Sequence, residues 1–210
     1  MKNKNGKPVL MEMVRAIQDN KAYLGELDGK IGDGDHGANM NKGFTLLAQR
    51  LGQVQSITLA DGLELLGSIV MNEIGGSMGP IYGTIFMEMA DVCQGHQEID
   101  LALFSQMMDA GLTGLYDVVE ARVGDKTLVD TLYPATEALH TALGDGADFS
   151  SALEAVKWAA AAGRDSTKDL EAKFGRSSRL GKRSIGVLDA GASSCCLLLC
   201  AMCDGMAKQL

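Results

Sequence analysis

A chain of 210 residues, 46% hydrophobic and 22% charged, carries enough apolar material for a sizeable core and has the make-up of a globular domain. Its 19 Lys and Arg against 27 Asp and Glu give a formal charge of −8, which excludes a general electrostatic affinity for nucleic acid or for an anionic membrane surface. Any anionic ligand must be held locally, and a divalent cation is one way for an acidic protein to do so.

The first stretch, MKNKNGKPVLMEMV, is basic, but Glu12, Arg15, Asp19 and Lys21 interrupt the apolar residues around it, so it lacks the core of a signal peptide. A cytoplasmic location is expected. Apolar residues recur at helical spacing along nearly the whole chain, with three prolines and few alternating β-branched runs. The spacing predicts helices over 8–26, 39–53, 58–74, 80–94, 100–121, 128–143, 149–166 and 190–208. Within 58–74, Leu59, Leu63, Leu66, Val70 and Ile74 follow helical steps, Thr58 is placed to cap the start, and Gly75 and Gly76 end it. The fold class is therefore all-α: eight helices in one compact up-and-down antiparallel bundle over 1–210. No repeat, low-complexity tract or linker marks a second domain.

The last predicted helix contains the longest uncharged apolar window, Ala190 to Cys203, which has the length of a buried core helix rather than of a membrane span. Four of the five cysteines crowd into it, unlike the spaced framework of a secreted disulfide domain, so reduced thiols are expected. Cys196, Cys200 and Cys203 share a helical spacing, but Leu197, Leu198 and Leu199 surround them and no second cysteine cluster completes a zinc site. They read as core, as do Met87, Met89, Met107 and Met108. Trp158 alone cannot form a stacking platform for nucleic acid.

Four connections are rich in glycine and in chemically useful side chains: 27–38, 75–84, 172–191 and the shorter VGDKT at 123–127. Alternate connections of an up-and-down bundle lie at the same end, where such loops can converge. In the first, Asp28 is expected at the end of the first helix, while Asp33 and Asp35 flank Gly34 in a turn that can point both carboxylates one way. Clustered carboxylates repel unless a cation sits among them, and hard ions such as Mg²⁺ prefer oxygen ligands. An EF-hand is excluded by spacing, since positions five and twelve counted from Asp33 are Gly37 and Phe44. Gly37 to Asn41 open the second helix, whose free N–H groups favour an anion beside the metal. A solvated Asp-Gly turn is the alternative. His36 is placed to contact a phosphate, move a proton or cap the turn, whereas His96 and His140 read as surface residues.

GRSSRLGKR, 175–183, resembles a phosphate-binding P-loop only superficially: five residues rather than four separate Gly175 from Gly181, and Arg183 stands where Ser or Thr is needed. What remains is a mobile basic loop of Arg176, Arg179, Lys182 and Arg183, able to close over phosphates, to dock a partner or simply to stay solvated. GGSMG at 75–79 allows close backbone approach, with Ser77 as a donor before a helix begun by Pro80, or is an ordinary turn. Asp189 and Gly191 contact a ligand or cap the last helix.

Together LDGKIGDGDHGANMNKGF, GGSMGPIYGT, GDKTLVDTLYP and GRSSRLGKRSIGVLDAGASS closely resemble the nucleotide-binding L subunit of bacterial dihydroxyacetone kinase, over essentially the full chain. The resemblance implies an eight-helix barrel with the nucleotide at one end. It implies that Asp28, Asp33 and Asp35 coordinate two Mg²⁺ ions against the phosphates of ADP or ATP. It further implies that His36, Gly37, Ala38, Asn39, Ser77, Met78, Leu128, Arg176, Asp189, Ala190 and Gly191 contact the nucleotide, with Thr84 nearby. The chain departs from the family at Val119, where glycine can stand, and in LDAG, which replaces Asp-Pro-Gly.

The implied reaction is phosphoryl transfer to the terminal hydroxyl of dihydroxyacetone or a related short ketose. The implied partners are a K subunit that holds the sugar and, in the phosphotransferase-system type, an M subunit that rephosphorylates bound ADP. In the other type ATP exchanges. The alternative is a nucleotide-state-dependent binding protein acting on a transcriptional regulator, and pairing with a second copy as a homodimer stays open.

Overall fold

The computed structural model describes residues 1–210 and contains nine α-helices. They are α1 (Gly6–Asp19), α2 (Lys21–Ile31), α3 (His36–Gly52), α4 (Leu59–Glu73), α5 (Met78–Cys93), α6 (Leu101–Val118), α7 (Val129–Gly144), α8 (Phe149–Ser166) and α9 (Ala190–Ala207). Three short 3₁₀ segments accompany them, and the only β pairing is an isolated bridge between Lys2 and Glu98. Four helices begin at a side-chain cap. Thr58, Asp100, Asp148 and Asp189 accept from the backbone N–H of Asp61, Leu103, Ser151 and Ala192 at 2.8–2.9 Å.

The long first helix expected over 8–26 is divided at Asn20, whose φ of −103° and ψ of 10° leave the helical region while its side-chain amide donates to the Ala16 carbonyl at 2.9 Å. Asp28 therefore lies in the last turn of a separate second helix. α5 begins two residues before Pro80, which fits because a first-turn residue has no intrahelical use for its N–H. α6 ends at Val118 rather than at 121, where Val119 turns extended with φ of −134°. In α7, Pro134 cannot donate to the carbonyl of Asp130. Gly163 of α8 packs against that oxygen so closely that an added Cβ would lie 2.1 Å from it.

Each helix packs on its successor, and α9 returns to pack on α1 and α2, closing the ring. All nine contribute to one cluster of 49 buried residues, so the core is continuous. By length and composition α9 alone is able to cross a membrane, but 72% of its apolar window is buried, and α1, α7 and α8 already cover it. All five cysteines are free; Cys196 and Cys203 lie in the core as expected and Cys200 is half-buried at its edge, while of the four methionines read as core Met89, Met107 and Met108 are buried and Met87 is exposed on α5.

The connections α3–α4, α5–α6 and α7–α8 gather at one end, where Asn3 acts as a buried staple. Its Oδ1 accepts from Leu59 N at 2.9 Å and Ala60 N at 3.3 Å, and its Nδ2 donates to the carbonyls of His96 at 2.7 Å and Cys93 at 3.2 Å. The other connections are thereby left together at the opposite end. On the outer surface His140 is less isolated than expected: Nε2 meets Asp109 at 2.8 Å and Nδ1 meets Glu137 at 3.2 Å. These bonds, that to Asp109 foremost, raise its pKa above 6.5.

Asn3→Ala is expected to lower the unfolding free energy by about 2–4 kcal/mol in urea titrations, because orphaned helix N–H groups and carbonyls stay buried. His140→Ala is expected to cost less than about 1 kcal/mol at pH 5.5, as for other exposed pairs. Its folded pKa is raised, so the difference is fully present below the unfolded value of 6.5, fades as pH rises through the folded value and is absent at pH 9.

Candidate functional site

The connections α2–α3, α4–α5, α6–α7 and α8–α9 enclose a cavity of about 720 Å³ at the open end of the barrel. This lies within the range of small-molecule sites. Asp28 projects from the last turn of α2, and Asp33 and Asp35 come from the turn that follows. Their ligand oxygens all lie within 4.8 Å of one another.

Two glycines make that convergence possible. A Cβ on Gly32 would sit 2.1 Å from Asp28 Oδ1, so its absence gives the carboxylate its place. A Cβ on Gly37 would sit 2.1 Å from the Lys21 carbonyl and 2.7 Å from Gly25 N, so α3 can approach α2 backbone to backbone only at glycine. Gly34, with φ of 78°, turns the chain between Asp33 and Asp35. The Asp28 carboxylate accepts from His36 N at 3.3 Å, and Asp33 pairs with the guanidinium of Arg176. Three oxygen-donor side chains, partly exposed and without a buried hydrogen-bond network of their own, suit a hard divalent ion such as Mg²⁺.

His36 plays a different part. It is 7% exposed, and its Nε2 lies 2.8 Å from Ser194 Oγ, which lies 2.6 Å from the Tyr82 hydroxyl. Both hydroxyl oxygens also lie 3.1 Å from the Gly191 carbonyl, which accepts from the one whose proton is not used between them. Burial pushes the imidazole down to about 4, against the opposing pull of Asp28, so the ring is neutral near pH 7. It ties α3 to α5 and α9 rather than offering a cation to phosphate.

The α6–α7 wall is held by charges that point inward to backbone. Asp130 accepts from Gly124 N at 2.5 Å and Thr127 N at 2.8 Å, while Asp125 accepts from Arg122 N at 2.8 Å and Lys173 Nζ at 2.6 Å. Lys126 is 1% exposed with a φ of 62°, and its ammonium donates to the carbonyls of Thr167 and, at 2.6 Å, Val187. Burial lowers its pKa. It thereby fastens both ends of the α8–α9 connection. Across the cavity Asp189 caps α9, and burial pushes its carboxyl up to about 6 against the Ala192 N–H bond and the Lys126 charge.

The residues expected to mobilise as a basic loop are instead wound into two 3₁₀ pieces over Arg176–Ser184, broken at Gly181 with φ of 53°. Ser184 secures them, donating to the Gly181 carbonyl at 2.7 Å and accepting from Ala172 N at 2.9 Å.

Of the residues singled out from sequence, the cavity is lined by Asp28, Asp33, Asp35, His36, Asn39, Ser77, Met78, Leu128, Arg176, Asp189, Ala190 and Gly191. Gly37 and Ala38 are not among the lining residues. Gly37 is buried against α2, and Ala38 faces solvent. Thr84 packs further along α5, where a Cβ on Gly114 of α6 would lie 3.0 Å from its methyl. Val119, singled out as a departure from the family, lines the cavity; Tyr82, Lys126 and Phe174 line it without having been picked out as ligand contacts, and Ser194 braces it. For Asp130 the GDKTLVD spacing was the available signal, whereas nothing local distinguishes Lys126 from a solvated lysine.

The DAK2 domain family matches residues 30–204. The ADP-binding subunit DhaL of PEP-dependent dihydroxyacetone kinase 1 from Listeria innocua is 37% identical over 89% of this chain and 88% of its own length. The corresponding Escherichia coli DhaL subunit is 37% identical over 82% of each chain. The chain therefore belongs to the DAK2 domain family and, within it, to the L subunits of dihydroxyacetone kinase. The dihydroxyacetone kinase from C. freundii in complex with AMP-PNP and Mg²⁺ shares the fold, with a TM-score of 0.72 at 22% identity. The match covers 100% of this chain and 35% of that one, so this chain spans about a third of that kinase.

Gly37→Ala is expected to destabilise the ligand-free protein by about 1–3 kcal/mol, because the added methyl meets fixed backbone and α3 must move off α2. Thermal unfolding without nucleotide checks this, since a residue acting only through ligand contact would leave that measurement unchanged.

Proposed function

We propose that this chain is the nucleotide-binding half of a dihydroxyacetone kinase, carrying the phosphoryl donor while a separate K subunit carries the sugar. The observation behind this reading is the convergence of Asp28, Asp33 and Asp35 within 4.8 Å at the mouth of a cavity that Arg176 also lines. In it Asp28, Asp33 and Asp35 hold two Mg²⁺ ions against the phosphates. Bound there, Mg²⁺ supplies neutralisation of the charge on the transferring group.

This chain's own residues do the positioning. The first turn of α5 presents free N–H groups to anionic oxygens at Ser77 and Met78, and on the other side Asn39 of α3 offers its side-chain amide. The apolar wall of Ile81, Val119, Leu128 and Ala190 takes the base and excludes water from it. Arg176 lies where a guanidinium reaches phosphate oxygens. No side chain here is assigned as nucleophile or general base, in keeping with an acceptor hydroxyl presented by the partner.

The PEP-dependent character and ADP binding stated for the Listeria and Escherichia coli relatives support a further step. ADP stays bound in the cytoplasmic protein and is rephosphorylated in place by a phosphoryl-donor M subunit. Native mass spectrometry is expected to find retained ADP with Mg²⁺, released on adding EDTA. An empty chain that exchanges ATP readily points to the ATP-dependent type, with dihydroxyacetone or a related short ketose as acceptor. Asp33→Asn and Asp35→Asn are each expected to weaken ADP binding in the presence of Mg²⁺ by more than about tenfold by calorimetry. Wild-type affinity in both would overturn the site assignment.

A further inference from the structure

Asp33 already has a cationic partner within the chain. Arg176, the first residue of the 3₁₀ segment opened by Gly175 with φ of 69°, pairs its guanidinium with Asp33 Oδ2. The pair bridges the α8–α9 connection to the α2–α3 turn. Asp28 is held by the His36 N–H, whereas the Asp33 carboxylate has Arg176 as its one partner. Both side chains stay partly exposed, 63% for Arg176 and 33% for Asp33, so the contact is reversible in character.

We propose that Arg176 is the built-in counter-cation of the carboxylate triad and that a divalent metal displaces it from Asp33, making metal loading and release of the α8–α9 segment a single exchange. The inference rests on the reading of the triad as a metal site. The guanidinium and a hard ion need the same carboxylate lone pairs, and two cations crowded on one oxygen repel. The pair therefore holds the α8–α9 segment to the α2–α3 turn while the carboxylates await the metal, and it lowers their mutual repulsion meanwhile. Once displaced, Arg176 stays at the cavity wall it already lines, where its natural acceptors are the phosphate oxygens that arrive with the metal. One arginine thus serves two successive partners: the metal frees the basic segment from Asp33, and the phosphates that follow recapture it.

The consequence has opposite signs for metal and nucleotide. Titrating Mn²⁺ without nucleotide, followed by the electron paramagnetic resonance of the free ion, is expected to show about two- to fivefold tighter binding in Arg176→Gln than in the wild type at low ionic strength. Arg176→Lys, which keeps the charge, is expected to return the affinity toward wild type. With Mg²⁺ present, ADP is expected to bind Arg176→Gln more weakly. Hydrogen exchange of 174–184 is expected to speed up when Mn²⁺ is added to the wild type, and to be fast from the start and indifferent to Mn²⁺ in Arg176→Gln. Mn²⁺ affinity in Arg176→Gln equal to or below wild type overturns the exchange while leaving the metal site standing. A wild type that binds no Mn²⁺, with or without ADP, overturns both.

Discussion

Three carboxylates held with their ligand oxygens within 4.8 Å of one another set the terms for the rest of this structure. Like charges at that distance oppose folding unless something positive is placed among them. The chain meets this cost with the geometry of two backbones. Because Gly37 has no side chain, α3 lies directly on the carbonyl of Lys21, and because Gly32 has none, Asp28 keeps its carboxylate in the gap. The acidic triad is thus a consequence of how closely two helices cross, and Arg176 supplies the compensating charge from the far side of the cavity.

Everything else at the open end braces that arrangement. His36, Ser194 and Tyr82 link α3, α9 and α5 through a buried chain of short hydrogen bonds, and Lys126 fastens both ends of the α8–α9 connection through its carbonyls. A buried ammonium bonded to neutral carbonyls and a neutral imidazole are costly unless every polar atom is satisfied, and no buried side-chain nitrogen or oxygen lacks a partner. The closed ring of helices provides the rigid frame. Its core is continuous, so the helix ends that carry the four site connections have fixed relative positions.

Much of the helical pattern was legible from local signals. Thr58 was recognisable as a cap because its hydroxyl precedes an apolar period of helical spacing, and it accepts from Asp61 N as that signal implies. The break at Asn20 was not legible, since apolar periodicity runs through it and only a side-chain bond to the Ala16 carbonyl ends the helix. The folded state of 175–184 was hidden for a related reason. Its charges suggest solvation, while Ser184 and the ion pair of Arg176 wind it into turns.

By itself the sequence determined the kinds of chemistry available: an all-helical frame from apolar spacing, oxygen donors for a hard cation at Asp28, Asp33 and Asp35, and glycine-rich turns at alternate helix ends. These follow from side-chain type and short-range spacing, which a linear pattern records. Only the tertiary structure decided which of those residues share the cavity and which serve as supports. It turned His36 into a neutral strut, placed Gly37 against α2, carried Thr84 away from the cavity and brought Arg176 onto Asp33. Each of these depends on the approach of segments far apart in the chain, and contact distance, burial and charge pairing across that separation exist only once the ring of helices has closed.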